Sequence, residues 1–210
     1  ENGFYPSYRF HQPDLEKILR KNLIKNKKVK ISYNSELLEI SDKGDIVSAK
    51  YFDKLNNSFQ TINADYVVGC DGANSFVKEY ISKEIIDFGF EEKWAVIDLI
   101  MNQNNNNLPD RTIQYCRKKT PATYCRNVGR RRRWEFSLDN NLVDKEILND
   151  DKIWHFLSKW ISPEDATIER KTIYTFKSLI AKKWRKGRVF IAGDAAHLSP
   201  PFMGQGMCSG

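Results

Sequence analysis

The chain contains 210 residues, of which 40% are hydrophobic and 12% aromatic, and it carries a formal net charge of +7. This length and composition predict a globular protein with one large or two small hydrophobic cores. No apolar run approaches the roughly 20 residues of a membrane-spanning helix, so we expect no membrane partner.

The cysteines and the basic charge exclude two further classes of function. The cysteines show no CxxC spacing and no nearby histidine partners, so we expect reduced thiols, no metal site and a cytoplasmic protein. They are Cys70, Cys116, Cys125 and Cys208. Much of the basic charge lies on scattered lysines, which favours a solvated surface over a nucleic-acid-binding one.

The first predicted element is a helix that begins near Pro13. Proline suits the first turn of a helix, and Asp14 and Glu16 follow it, as is typical of a helix N-terminus. The apolar residues share one face and predict an amphipathic packing helix. They are Leu15, Ile18, Leu19 and Leu23.

Residues 29–59 predict a small antiparallel β-meander with a structural role. Apolar residues alternate with polar ones near 29–31, 37–40 and 46–51, and turn-forming residues separate these runs at 42–45 and 55–57.

A strand that ends in a glycine-rich break follows in the sequence ADYVVGCDGANSFV, residues 64–77. Residues 66–68 predict a buried strand, and Gly69, Asp71 and Gly72 interrupt it. Asn74 or Ser75 can cap the short helix that comes next.

The central part of the chain predicts a β-rich region followed by a helix over 144–161 and a strand over 166–176. In the segment 131–138 the residues Arg132, Trp134, Phe136 and Leu138 fall on one face of a strand. The arginines of this run are therefore divided between two faces, which favours a sheet with one aromatic face over a nucleic-acid-binding patch.

The last stretch combines a buried strand with a second glycine-rich turn. Residues 189–192 predict a parallel strand, and Gly193 and Asp194 end it. Two adjacent prolines then exclude helix, and residues 204–206 predict the start of a helix. Backbone N–H groups at such a helix start suit an anion or a developing negative charge.

Three strings in this order, RFHQPDLEKIL, CDGANS and AGDAAHLSPPFMGQGMCSG, resemble motifs of the FAD-dependent aromatic hydroxylases, which are single-component flavoprotein monooxygenases. The last string is most similar to the 3-(3-hydroxyphenyl)propionate hydroxylase branch. The chain departs from the family at Lys78, where the family usually has arginine. Lysine keeps the positive charge but cannot form the bidentate phosphate contact that a guanidinium group makes.

The resemblance implies an α/β fold with mixed sheets, like that of p-hydroxybenzoate hydroxylase. Residues 1–82 and 178–210 would form part of a Rossmann-like FAD-binding domain, and residues 83–177 an inserted β-rich substrate domain. No GxGxxG segment or initiating methionine precedes this region, and the chain stops as its last helix begins. We therefore expect an internal segment of a longer enzyme that is inactive and marginally folded alone.

The resemblance also implies which residues contact the flavin. The cofactor-binding set is Gln12, Asp71, Gly193, Asp194, Ala195, Ala196, Gly204, Gln205, Gly206, Met207 and Cys208. A wall near the reactive end of the flavin would come from Pro200, Pro201 and Phe202.

In this family NADH or NADPH reduces FAD, dioxygen adds to give a flavin hydroperoxide, and one oxygen atom goes to a phenol. The cofactor supplies this chemistry, so we expect no side-chain acid or base as catalyst. We expect a small aromatic acid and dioxygen as partners. Candidate residues for positioning the ring are Tyr115, Tyr124, Arg126, Trp134 and Phe136.

Two alternatives stay open from the sequence. A halogenase, reductase or quinone-ring hydroxylase of the same fold would keep the FAD and change the reaction. A non-catalytic binding protein would fit the basic charge and the lack of a GxGxxG segment.

Overall fold

The computed structural model describes residues 3, 8–103, 107–139, 144–201, 204 and 206–210. The helices are α1 Gln12–Leu23, α2 Phe76–Ile81, α3 Asp144–Ile147, α4 Asp150–Leu157 and α5 Gly206–Ser209, with a 3-10 turn at Gly193–Ala195. The first eight strands are β1 Ser35–Asp42, β2 Val47–Asp53, β3 Ser58–Ala64, β4 Val67–Gly69, β5 Ile85–Met101, β6 Ile113–Tyr115, β7 Ala122–Arg126 and β8 Arg131–Leu138. The last four are β9 Ala166–Ala181, β10 Arg185–Lys186, β11 Val189–Ile191 and β12 His197–Leu198.

The chain forms two compact units. The first contains residues 1–29 and 92–175, and the second contains 30–91 and 176–210. Residues 1–29 therefore group with the β-rich unit, whereas the sequence places them with residues 30–82. Which unit binds the cofactor and which binds the substrate stays a prediction.

The first unit contains a sheet in the order β9-β5-β8-β7-β6. Strand β8 alternates between half-buried and buried residues along its whole length, which confirms the predicted division of its two faces. The buried face packs against Ile153 and Leu157 of α4, with Trp134 as its largest fully buried side chain. Each such buried side chain contributes about 1.5–3 kcal/mol.

The second unit contains two small sheets. Strands β1, β2 and β3 form the predicted antiparallel meander. The predicted strand at 29–31 is wrong, because Val29 instead closes a turn by donating its N–H to the carbonyl of Asn26. The other sheet has the order β10-β11-β4, and α2 packs on it through Val77 and Ile81.

Two predicted helices differ from the structure in informative ways. Helix α1 is present, but Ile18, Leu19 and Leu23 are exposed, so the predicted apolar packing face is not buried by the described residues. The single helix predicted over 144–161 is two helices. It breaks because the Asn149 side chain accepts the N–H of Asp151 and caps a new helix there.

All four cysteines are free thiols. Within the described residues, no helix combines the length and apolar character needed to cross a membrane. In the same part of the chain, no group of three or more His, Cys, Asp or Glu side chains is placed to hold a metal ion.

Candidate functional site

The carboxyl ends of two parallel strands meet in the second unit. Strand β4 pairs with β11, with Gly69 opposite Ile191, and one residue further on the N–H of Ala192 donates to the Gly69 carbonyl at 3.0 Å. Ligands of open α/β sheets bind outside such strand ends. We call residues 69–72 and 192–194 the strand-end edge.

Gly193 and Asp194 leave β11 as the sequence predicts. Gly193 has a φ of +59°, and a Cβ atom added to it would meet nothing within 4 Å. The positive φ explains the glycine, and the empty space leaves room for a ligand at the backbone. The carboxylate of Asp194 is exposed and has no partner among the described residues. Its neighbours Ala195 and Ala196 are buried.

Asp71 follows β4 and is held differently from Asp194. One carboxylate oxygen accepts the hydroxyl of Ser75, and the other accepts the backbone N–H of Val77 at 3.1 Å. Burial raises the pKa of Asp71, but these hydrogen bonds outweigh it and hold the pKa below the ordinary value. Asp71 therefore stabilises the start of α2 as a carboxylate.

Ser75 and Lys78 complete this helix start. The Ser75 hydroxyl accepts the N–H of Lys78 at 2.8 Å, which confirms Ser75 as one of the two predicted caps. The ammonium of Lys78 donates to the carbonyl of Ala73 at 2.9 Å. The lysine that replaces the family's arginine thus turns back onto its own loop.

Gly69 sets how closely α2 can approach the sheet. A Cβ atom on Gly69 would lie 2.5 Å from the Cβ of Val77. Real Cβ atoms do not approach so closely, so only glycine permits this packing of strand against helix.

The last predicted segment forms a turn and a short helix. The N–H of Gly204 donates to the carbonyl of Pro201 at 3.1 Å, and α5 begins at Gly206, as predicted. Met207 and Cys208 are exposed on it. The chain returns to the strand-end edge here, since a Cβ on Gly210 would lie 3.3 Å from the Cα of Gly193.

Four residues complete the account of the predicted flavin environment. Pro200 and Pro201 are half-buried. Phe202 and Gln205 lie outside the described residues.

A cavity of about 630 Å³ lies in the first unit, between the start of α1 and the sheet. This volume is in the range of small-molecule sites. We call it the charged cavity. Its lining includes Gln12, Asp98, Arg131, Arg133, Glu169 and Arg170, which come from distant parts of the chain.

Asp98 is the centre of the charged cavity. It lies opposite Arg133 in the pairing of β5 with β8, and Arg133 donates Nε to Oδ1 at 2.6 Å and Nη2 to Oδ2 at 3.1 Å. Arg170 donates its Nε to the same Oδ2 at 2.9 Å. Burial by itself would lower the pKa of both guanidinium groups. The hydrogen bonds and the charge of Asp98 outweigh burial, so the pKa of both groups is raised and both stay charged.

Among the described side chains that line this cavity, Gln12 is the one predicted to contact the cofactor. Its side-chain amide donates to Glu16 at 2.9 Å on the first turn of α1. The sequence places Gln12 against the flavin, and that assignment stays a prediction.

Three of the five predicted ring-positioning residues lie in the closed core of the first unit. Tyr124 and Trp134 have an exposed fraction of 0%, Phe136 of 2%, and they pack on each other and on α4. The Tyr124 hydroxyl donates to the carbonyl of Pro109 at 3.0 Å. Their burial gives these aromatic side chains a packing role, and none of them lines the charged cavity.

The other two predicted residues also have protein partners. Tyr115 is half-buried and its hydroxyl accepts the indole N–H of Trp160 at 3.0 Å. Arg126 donates its Nε to the carboxylate of Asp110 at 2.8 Å. The structure does not bring the five residues together in one cavity.

A sequence model of a protein family described as an FAD binding domain matches residues 4–210. The chain belongs to this FAD-binding domain family. Two curated relatives extend the match. A probable NADH-specific resorcinol 4-hydroxylase of Rhodococcus jostii is 36% identical over 99% of this chain and 39% of its own length. A 3-(3-hydroxy-phenyl)propionate/3-hydroxycinnamic acid hydroxylase of Burkholderia cenocepacia is 28% identical over 100% of this chain and 38% of its own.

Solved structures of flavin-dependent monooxygenases share the fold of this FAD-binding domain. PieE in complex with FAD and substrate has a TM-score of 0.80 at 19% identity, covering 94% of this chain and 36% of that protein. The p-nitrophenol 4-monooxygenase PnpA from Pseudomonas putida has a TM-score of 0.79 at 18% identity, covering 94% and 50%. The predicted relationship to aromatic hydroxylases and the mixed α/β fold are confirmed. The chain spans well under half the length of both curated relatives.

The strand-end edge of this FAD-binding domain fits its cofactor. Asp194 offers an exposed carboxylate without a protein partner, which can accept hydrogen bonds from sugar-like hydroxyl groups. Gly193 leaves empty space where a side chain would stand. Asp71 fits less well as a direct ligand, because both of its oxygens already accept protein hydrogen bonds.

Sequence reasoning missed Asp98, Arg133 and Arg170, the charged residues at the centre of the charged cavity. A signal for one of them was present, because Asp98 is the only charged residue in the apolar run WAVIDLIM. For Arg133 the signal was its place on the face of β8 opposite to the aromatic residues. No local pattern pointed to Arg170, which meets Asp98 across 72 residues of sequence.

Proposed function

We propose that the protein containing this chain is an FAD-dependent aromatic hydroxylase, which uses NADH and dioxygen to add a hydroxyl group to a phenol. The observation that carries the proposal is the match along the whole chain to relatives named as hydroxylases of phenols. NADH is favoured over NADPH because the more similar of the two is named NADH-specific.

The substrate we propose is a phenol with a second substituent at the meta position. Resorcinol carries a hydroxyl group there, and 3-(3-hydroxyphenyl)propionate carries an acidic side chain. The charged cavity supports a small polar aromatic compound, since its volume is about 630 Å³ and guanidinium and carboxylate groups line it.

In this proposal the strand-end edge holds FAD, which when bound supplies the oxidation chemistry. The Asp194 carboxylate accepts hydrogen bonds from cofactor hydroxyl groups, and Gly193, Ala195 and Ala196 allow close approach because they are small. Asp71 shapes the edge by fixing the start of α2. Residues 200–202 and 204–208 would form the surface beside the flavin, with backbone N–H groups at the start of α5 as donors.

The experiment uses the full-length protein reconstituted with FAD. NADH oxidation and oxygen uptake are followed with resorcinol, 3-(3-hydroxyphenyl)propionate and 3-hydroxybenzoate, and then repeated with NADPH. We expect at least one phenol to accelerate NADH oxidation and to yield a product with one added oxygen atom by mass spectrometry. Benzene analogues without the hydroxyl group are the matched controls, and they should yield no hydroxylated product.

Two results would contradict different parts of the proposal. If the protein binds FAD and no phenol gains oxygen, the hydroxylase assignment fails while the cofactor assignment stands. If the full-length protein does not bind FAD at all, both assignments fail.

A further inference from the structure

We propose that Arg133 and Arg170 together bind one oxyanion of the aromatic substrate, a carboxylate or a phenolate, in the charged cavity. The identity of the ligand as an aromatic compound rests on the proposed function. The site itself rests on three features of the described residues, which are its hydrogen-bonded charge balance, the adjacency of its two guanidinium groups and their fixed positions.

The hydrogen-bonded ion pairs of the described residues leave one positive charge of this site without a hydrogen-bonded counter-ion. Arg131 lies 3.3 Å from Glu169 and pairs with it, and Glu16 pairs with Arg20 at 3.1 Å on α1. Asp98 is then the one carboxylate directly bonded to both Arg133 and Arg170. Two guanidinium groups that share one carboxylate carry a net charge of +1.

Glu135 is not a hydrogen-bonding partner of Arg133. Its carboxylate lies 3.9 Å from Nη1 of Arg133, which is ion-pair distance but beyond hydrogen-bond distance. Burial raises the pKa of Glu135, with Arg133 opposing this effect. Glu135 therefore leaves Nη1 of Arg133 without a hydrogen bond.

The two guanidinium groups line the same cavity and lie next to each other, because they share one oxygen atom of Asp98. Nη2 of Arg133 and Nε of Arg170 both donate to Oδ2 of Asp98, at 3.1 and 2.9 Å, so these nitrogen atoms lie within about 6 Å of each other. Each guanidinium has five N–H groups in a planar fork. The Nη1 of Arg133 and the Nη2 of Arg170 make no hydrogen bond to the described residues, so both have N–H groups available for a ligand.

Both arginines are held in place before any ligand binds. The bidentate bond to Asp98, which has an exposed fraction of 9%, orients Arg133. Arg170 is held on one side by Asp98 and on the other by the hydroxyl of Tyr174, at 3.2 Å from its Nη1. Fixed, charge-assisted donors suit the planar oxygen pair of a carboxylate or a single phenolate oxygen. Asp98 acts here as a positioning residue.

The test measures equilibrium binding of aromatic ligands to the FAD-loaded, full-length protein by calorimetry, so it does not depend on turnover. The variant is Arg170→Gln, since this side chain is the more exposed of the two and its loss disturbs the fold least. The matched control is Arg130→Gln, which removes an exposed guanidinium of the same unit that does not line the cavity. The ligands are 3-(3-hydroxyphenyl)propionate and resorcinol.

We expect Arg170→Gln to weaken binding of 3-(3-hydroxyphenyl)propionate by on the order of 10–100-fold, the range for one lost charge-assisted hydrogen bond. Arg130→Gln should change it less than about twofold, and Arg170→Lys should recover part of the loss because it keeps the charge. If resorcinol binding is unchanged in Arg170→Gln, the oxyanion is the carboxylate. If resorcinol binding weakens equally, the oxyanion is a phenolate.

The proposal is overturned if Arg170→Gln and Arg130→Gln bind both ligands alike. It is also overturned if Arg170→Gln lowers FAD affinity and leaves aromatic binding in FAD-saturated protein unchanged, because the arginines would then serve the cofactor. Failure of the proposed function looks different. A wild-type protein that binds these ligands through Arg170 and never hydroxylates them keeps the site and loses the reaction.

Discussion

The strand-end edge and the charged cavity are built in opposite ways. The edge comes from two short strings, 69–72 and 192–194, and it depends on glycine conformation and on backbone hydrogen bonds between neighbouring strands. The charged cavity comes from side chains contributed by four separated segments of sequence, and it depends on ion pairs. A site made from local backbone geometry leaves a motif in the sequence, whereas a site made from long-range ion pairs does not.

The same contrast separates the two aspartates of the edge. Asp71 and Asp194 both follow a strand that ends near a glycine, and the sequence places both in the cofactor-binding set. The strand before Asp71 was predicted to be buried, and this is wrong for Val68, which is exposed. In the structure Asp71 is saturated with hydrogen bonds from α2, and Asp194 has no partner among the described residues. A motif thus predicts where a carboxylate lies, and only its surroundings show whether it is available to a ligand.

The largest expected effect concerns Asp194. Asp194→Ala in the full-length protein should weaken FAD binding by on the order of 10–100-fold, because a hydrogen bond to a charged group contributes about 1.5–3 kcal/mol. Flavin fluorescence titration measures the affinity. Asp45→Ala, which removes another exposed aspartate of the same unit, is the control. Equal FAD affinity in both variants would mean that the edge does not bind the cofactor through this carboxylate.

The next effect tests whether the edge depends on space or on conformation. Gly69→Ala should lower the free energy of unfolding by about 1–3 kcal/mol, since the new methyl group overlaps Val77. Gly193→Ala meets no neighbouring atom and should lose only about 1 kcal/mol, from its positive φ. Urea unfolding of the full-length protein without FAD measures both variants. If Gly193→Ala is the more damaging in FAD-free protein, steric packing does not explain the conformation of this edge.

The smallest effect compares the pH dependence of Asp71, at the strand-end edge, with that of Glu135, which neighbours Arg133 of the charged cavity. The pKa of Asp71 is lowered in the folded protein, so its ionised carboxylate stabilises the fold above about pH 3.9, the pKa of the unfolded state. This stabilisation is lost as the pH falls through the pKa of the folded state. The pKa of Glu135 is raised, so its ionisation destabilises the fold progressively as the pH rises above about 4.3. Asp71→Asn should therefore lose about 1 kcal/mol at pH 7 and little at pH 3.

Glu135→Gln should be at least as stable as the wild type at pH 7, and its advantage should shrink towards pH 4. Urea unfolding across this pH range measures both variants. If Asp71→Asn and Glu135→Gln are both less stable than the wild type at pH 7, Arg133 stabilises the ionised Glu135 more than burial destabilises it. That result would contradict the raised pKa of Glu135.

The sequence by itself determined the elements whose causes are local. The alternation in residues 131–138 predicted both faces of β8, and the turn residues at 42–45 and 55–57 predicted the meander. The glycines Gly69 and Gly193 predicted where β4 and β11 end. In each case the deciding interaction lies within a few residues of the pattern, so the pattern carries it.

Tertiary structure decided what depends on partners distant in sequence. Aromatic residues such as Trp134 and Tyr124 have the composition of a ligand site, yet helix α4 covers them and makes them core. No sequence pattern connects Asp98 with Arg170, because only strand register and the path of the chain bring Nε of Arg170 to 2.9 Å from Oδ2 of Asp98. Residue type sets the chemistry that a side chain can perform. Its burial and its ion pairs depend on contacts that the local sequence does not encode, and such contacts form the charged cavity.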